Sequence, residues 1–155
     1  ISMQLLLRAH RDVGGDVVSA GATATYACNR WATEIQAGSY ALMDTDYGDR
    51  SLPFEQALSV LATVISVSPR WAVADAGLKA LGMDHGNPTI DGHAVWFCSD
   101  EHTTFSPNDG EPPKVGTRIR VTPAHIDPTV AMHDVAWITS GDAIVERWEI
   151  DLRGW

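Results

Sequence analysis

"LSVLATVISV", Leu58–Val67, is the stretch on which the fold turns. Val60, Thr63, Val64, Ile65 and Val67 are β-branched, and the run stops just before Pro69, which favours a buried strand over a helix. Phe54, Leu58 and Leu61 have helical spacing, so a short helix over 54–61 stays open as the alternative. Outward from this run the texture is consistent. "WAVADAG" (Trp71–Gly77) and "HAVWFCS" (His93–Ser99) are expected strands. "TRIRVTP" sets Thr117, Ile119 and Val121 against Arg118 and Arg120, the alternation of a half-buried strand. "DVAWITSGDAIVERWEI" predicts a strand, a Ser-Gly-Asp turn and a second strand, a hairpin. "SPNDGEPPK" (Ser106–Lys114) predicts a loop. From Leu58 onward the chain is expected to be mainly β, an antiparallel sandwich or barrel.

The first fifty residues differ. A short strand over Val17–Ser19 feeds a loop of Gly, Ala and Thr, and "EIQAGSYALMDTDY" predicts a turn at Gly38 followed by an apolar strand. That resembles the end of a β/α unit more than a piece of a meander.

Composition narrows the classes. The chain has 155 residues, 45% of them hydrophobic and 20% charged, which suits an ordinary globular core and excludes disorder. A net charge of −9 disfavours a nucleic-acid partner, which would call for a basic surface. No run of about 18 apolar residues is present to span a membrane. The start, "ISMQLLLRAHRD", lacks the basic flank and cleavage site of a signal peptide. Because it does not open on Met, the chain is expected to begin within a larger protein. Cys28 and Cys98 are too few for a disulfide scaffold and fit a reducing, cytoplasmic setting, where they serve as small apolar fillers. The six tryptophans are expected to be mostly core or interface anchors.

Two constellations carry chemistry. In the first, Gly21, Ala22 and Thr23 follow a strand, and small residues there let backbone N–H groups approach an anion, suiting a phosphate. Gly38, Ser39 and Tyr40 offer a second set of donors about 15 residues on. A plain tight turn rich in small residues is the rival reading. The second constellation is His125 and Asp127 within "TPAHIDPTV", expected to be irregular between Pro123 and Pro128. An imidazole nitrogen and a carboxylate oxygen suit Mn²⁺, Mg²⁺, Co²⁺ or Zn²⁺, and two protein ligands leave positions open for catalysis. The rival is a surface histidine beside an Asp-Pro turn. Glu101 with His102, His133, and Asp75, Lys79 and Asp84 are further candidates, with Lys79 and Asp84 expected to form a solvated pair.

"VSAGATATY", "TEIQAGSYALMDTDY", "AGLKALGMDHGNP", "SDEHTTF", "TPAHIDPTV" and the terminal "WEIDLRGW" occur in an order that resembles the C-terminal part of the D-threonine aldolase and D-serine dehydratase-like family, pyridoxal-phosphate enzymes similar in fold to alanine racemase. The resemblance implies that residues 1–50 are the terminal segment of a pyridoxal-phosphate-binding (β/α)8 barrel and residues 51–155 a C-terminal β domain with the metal site. It implies that Gly21, Ala22, Thr23, Gly38, Ser39 and Tyr40 hold the pyridoxal 5'-phosphate, although alanines stand where the family's loop has more glycine. It implies that His125 and Asp127 hold the divalent metal. Dehydratases of the family typically pair the histidine with cysteine and aldolases with aspartate, so Asp127 points to the aldolase branch, with hydroxyaspartate aldolases alongside.

The implied reaction takes a D-β-hydroxy-α-amino acid to glycine and an aldehyde, with the metal lowering the hydroxyl pKa and His125 or a bound water taking its proton. A D-serine dehydratase-like ammonia-lyase is the alternative. The family's Schiff-base lysine lies early in the barrel, and Lys79 and Lys114, the two lysines here, match no such motif. The N-terminal barrel portion, on a separate chain or missing, is therefore an expected partner, as is a second subunit in a homodimer. A non-catalytic β module is a third reading. A mononuclear-iron oxygenase fits poorly, because no histidine follows Asp134.

Overall fold

The computed structural model describes residues 2–151 and 153. Ile1, Leu152, Gly154 and Trp155, the last three within the terminal motif "WEIDLRGW", lie outside the described residues. The chain divides into two compact units, Ile1–Ala41 and Leu42–Trp155.

The first unit opens with a helix, α1 (Ser2–Val13), over the apolar run. Met, Gln, Leu, Arg and Ala are strong helix formers, and His10 and Arg11 in the last turn oppose the dipole's negative end. The Gly14 N–H donates to the His10 carbonyl at 2.7 Å and ends it. Two short strands follow, β1 (Ser19–Ala20) and β2 (Glu34–Ile35), paired in parallel. A parallel pair needs a crossover, here carrying a 3₁₀ turn over Thr23–Thr25. The strand expected after Gly38 is absent: Ser39–Ala41 and Thr45–Arg50 are 3₁₀ turns. Met43, with φ of 58°, breaks any extended run there.

The second unit is mainly β, as the sequence predicts. Its strands are β3 (Val60–Val67), β4 (Ala72–Ala74), β5 (His93–Cys98), β6 (Thr103–Pro107) and β7 (Arg118–Val121). They form one antiparallel sheet in the order β5-β6-β4-β3-β7. No helix forms over 54–61. Register shifts between Val64 and Ser66 and between Val95 and Phe97 curl the sheet, because an inserted residue strengthens the local twist. Ile119 and Val121 are buried and Arg118 and Arg120 exposed, which is the predicted alternation; Thr117 falls outside the strand and is exposed. β3 is buried on one face only. Ala62 and Val64 point into the core, while Leu61 and Ile65 lie on the opposite, exposed face. Around Val64, Phe105, Leu81 and Val121 the core is filled largely by alanines 62, 72, 74 and 76.

A short helix, α2 (Ile126–Ala131), follows β7, and the predicted hairpin closes the unit as β8 (Val135–Ser140) and β9 (Ala143–Glu149). The tryptophans do not fill the core: Trp31 and Trp71 are half-buried, and Trp96, Trp137 and Trp148 are exposed. Cys28 is exposed rather than packed, and Cys98 is half-buried, its thiol 3.1 Å from the Thr103 hydroxyl. Among the described residues, no helix is long and apolar enough to cross a membrane.

Candidate metal centre

Between Pro123 and Pro128 the chain is irregular only as far as His125, and Ile126 opens α2. His125, at φ −130° and ψ 121°, is the extended cap residue, and Asp127 sits in the first turn. Pro128 is tolerated there because first-turn N–H groups have no intrahelical acceptor. An acidic first turn also complements the helix dipole. The cap histidine makes no side-chain cap hydrogen bond. Its place is taken from far along the chain: buried Asp44 accepts the Ile126 N–H at 2.7 Å. Thr129 donates its hydroxyl to the His125 carbonyl at 2.7 Å and accepts the Gly82 N–H at 2.8 Å. The His125 backbone is thereby held from its own helix and from a neighbouring turn.

Gly82 sits close against this helix. A Cβ there would lie 2.4 Å from Pro128 Cγ and 3.0 Å from the His125 carbonyl oxygen. Neither is the tip of a flexible side chain, so the helix start must shift. Gly82→Ala is expected to cost about 1–3 kcal/mol of stability, as overpacking does. Denaturant unfolding checks this; an unchanged midpoint would show that α2 yields freely.

The His125 ring is bracketed by acids. Nδ1 lies 2.7 Å from Asp84 Oδ2, and Nε2 lies 3.9 Å from Asp127 Oδ2. His85 stacks on it, with ring centroids 4.0 Å apart and planes inclined by 1°. The hydrogen bond from His125 holds the Asp84 carboxyl below the usual carboxylate range. The His125 side chain is 21% exposed and Asp127 77% exposed, so the gap between them opens outward.

Lys79 does not pair with Asp84. It bonds Glu101 at 2.6 Å, and that contact raises the lysine pKa and lowers the glutamate's. Asp75 accepts the Thr63 N–H at 2.6 Å, and the His133 ring bonds the Ala80 carbonyl at 2.9 Å. Both are framework contacts. Asp84 was a further candidate but was expected to pair with Lys79, and His85 was not among the candidates; both lie beside His125. The Asp-His step two residues after Gly82, within the quoted "LGMDHGNP", was the available signal.

Could the pair hold an ion? Bonds of about 2.0–2.2 Å to nitrogen and oxygen together span up to about 4.2 Å. The 3.9 Å separation lies within that reach but exceeds the roughly 3.4 Å between adjacent donors of a tetrahedral ion, so a small inward turn of the exposed Asp127 carboxylate would bring both atoms to one point. Neutral imidazole with carboxylate is a donor set for borderline or hard divalent ions.

In the first unit, the two expected phosphate loops meet. The Tyr40 N–H donates to the buried Thr23 hydroxyl at 3.1 Å. Gly21 is left-handed at φ of 89°, and a Cβ on it would lie 2.2 Å from Asn29 Nδ2, so only glycine fits. The Ala22 N–H is bonded to Thr25 Oγ1 at 3.2 Å. The amides of Ala22 and Tyr40 thus have internal partners, while the Thr23 hydroxyl keeps a proton to donate.

Residues 57–139 match the family model described as "Putative serine dehydratase domain". The chain is 40% identical over 131 residues to a D-threonine aldolase of Arthrobacter sp., covering 79% of this chain and 35% of that protein. Its structure is similar to the crystal structure of D-threonine aldolase from Filomicrobium marinum, with a TM-score of 0.83, 36% identity, and coverage of 95% of this chain and 44% of that one. It is also similar to D-threo-3-hydroxyaspartate dehydratase from Delftia sp. HT23, with a TM-score of 0.77, 29% identity, and coverage of 96% and 48%. The chain spans less than half the length of these relatives. The chain belongs to the serine dehydratase domain family, and the relatives it matches are D-amino-acid lyases.

Proposed function

We propose that this chain supplies the metal-holding β domain and the last barrel segment of a pyridoxal-phosphate- and divalent-metal-dependent lyase that cleaves D-β-hydroxy-α-amino acids to glycine and an aldehyde. The observation that carries the reading is the 3.9 Å separation of His125 Nε2 and Asp127 Oδ2 at the open start of α2. A carboxylate as second ligand favours manganese, magnesium or cobalt over the zinc that a thiolate selects. That choice supports aldolase over dehydratase; one similar structure is described as a D-threo-3-hydroxyaspartate dehydratase with cysteine replaced by alanine, in the metal-free form.

The residues divide the work. His125 and Asp127 would hold the ion, and the loops at Gly21–Thr23 and Gly38–Tyr40 would hold the phosphate. When bound, the cofactor supplies an electron sink and the ion a Lewis acid for a substrate hydroxyl. His125 serves as ligand rather than base, because Nδ1 is hydrogen-bonded to Asp84 and Nε2 is the nitrogen facing Asp127. The Asp127 carboxylate, 77% exposed, would offset part of the ion's charge. The buried Thr23 hydroxyl, which accepts the Tyr40 N–H, would have its own proton to donate toward an anion.

The test is product analysis with D-threonine on the complete enzyme, with barrel and β domain together. Glycine and acetaldehyde are expected, in a reaction that chelation stops and Mn²⁺ restores. 2-Oxobutanoate and ammonia instead would assign the dehydratase reaction; activity indifferent to chelation would remove His125 and Asp127 from it.

A further inference from the structure

We propose that Asp84 is a positioning residue: its carboxylate fixes His125 in the tautomer that carries the proton on Nδ1 and turns the Nε2 lone pair toward Asp127. This rests on the metal-holding role proposed for His125 and Asp127, and adds the group that orients the first of them.

The geometry separates the two ring nitrogens. Asp84 Oδ2 lies 2.7 Å from Nδ1, which is hydrogen-bond distance, whereas Asp127 Oδ2 lies 3.9 Å from Nε2, which is not. A neutral imidazole has one N–H and one lone pair. A carboxylate accepts and never donates when ionised, so the proton belongs on Nδ1. The lone pair is then left on the nitrogen facing Asp127. A metal-ligating histidine typically donates its other N–H to a carboxylate or carbonyl, which sets ring orientation and raises ligand basicity. Here that acceptor comes from 41 residues upstream, on the turn after Gly82. His85 covers one ring face, stacked at 4.0 Å, and opposes rotation of the ring out of this plane. Asp84 is 56% exposed, so its removal opens no cavity and a loss of function would not be a loss of fold.

A rival seat exists. Asp84, His85 and His125 place one ligand atom each within 4.8 Å of one another, and an ion there would use Nδ1 and ignore Asp127. The two arrangements predict opposite rankings of variants.

The full chain is compared with its Asp84→Ala, Asp84→Asn, His85→Ala and Asp127→Ala variants by two measurements. One is long-range ¹H–¹⁵N NMR of the His125 ring without metal; the other is Mn²⁺ titration. Expected are an Nδ1-protonated ring in the parent, loss of that tautomer in Asp84→Ala, and Mn²⁺ binding weakened about 10–100-fold in the same variant. Asp84→Asn, whose amide oxygen still accepts, should recover part of both, and His85→Ala should do less harm than Asp127→Ala. An unchanged His125 tautomer and affinity in Asp84→Ala would overturn the proposal. So would His85→Ala matching Asp84→Ala while Asp127→Ala binds normally. If the parent binds no Mn²⁺, the metal-site reading above falls, and the tautomer measurement alone decides the role of Asp84.

Discussion

His125→Ala is expected to lower kcat/KM of the complete enzyme on D-threonine by about 10³-fold or more, and excess Mn²⁺ should not restore it. Lewis-acid stabilisation of a developing alkoxide is worth several kcal/mol, and about 4 kcal/mol corresponds to three orders of magnitude. The variant removes the nitrogen ligand itself. It leaves Asp127, a single exposed carboxylate on the first turn of a six-residue helix, which is a weak site alone. Folding should survive, because the ring is not among the core residues and the backbone at 125 is held through its carbonyl by Thr129. The Asp127→Ala variant should lose activity through the same ion, so the double variant should be little worse than either single one; residues that act as a unit are not additive. Independent, multiplying losses would show that the two side chains serve different steps, and the shared-ion reading would fail.

Phe105→Ala is expected to cost about 3–5 kcal/mol of stability, toward the upper part of that range. Phe105 is fully buried in β6, paired with Ala72 and Val95 on its two sides. Its neighbours in the core include four alanines on or next to strands whose backbones are fixed by the sheet. Short side chains on a rigid sheet cannot lean into a vacated space, and the residual cavity sets the penalty. Its edge contact with the His93 ring, at 5.1 Å between centroids, would go as well. Leu61→Ala, on the exposed face of β3, is the control and should stay within about 0.5 kcal/mol of the parent. Chemical denaturation measures both. A Phe105→Ala loss below that of the control would mean the unit is held together elsewhere.

Where the sequence was informative, one local rule dominated. The Arg-Ile-Arg-Val alternation of β7 and the Ser-Gly-Asp hairpin needed only period and turn chemistry, and both elements lie where expected. The His125–Asp127 pair was legible as a donor set, since two residue types at close spacing suffice to raise it. Its setting was not. Pro128 reads as a breaker in sequence, whereas in a first turn it costs no hydrogen bond, so α2 was missed. The Asp84 contact spans 41 residues, and no local pattern encodes it. Lys79 found Glu101 rather than Asp84, because the turn at Gly77 sets that stretch against Ser99 and Asp100, where the Leu78 and Lys79 amides bond carbonyls at 2.9 and 3.0 Å. Residue type alone placed the tryptophans in the core or at an interface, and the five described ones lie outside the core.

The Asp44 contact with the Ile126 amide bridges 82 residues of chain. Once β3 has paired with β7, Val60 and Val121 already sit together, and only the short stretch from Asp44 to Val60 is left to close. The carboxylate therefore fastens the first turn of α2 to a segment that precedes the sheet, at little entropic cost of its own.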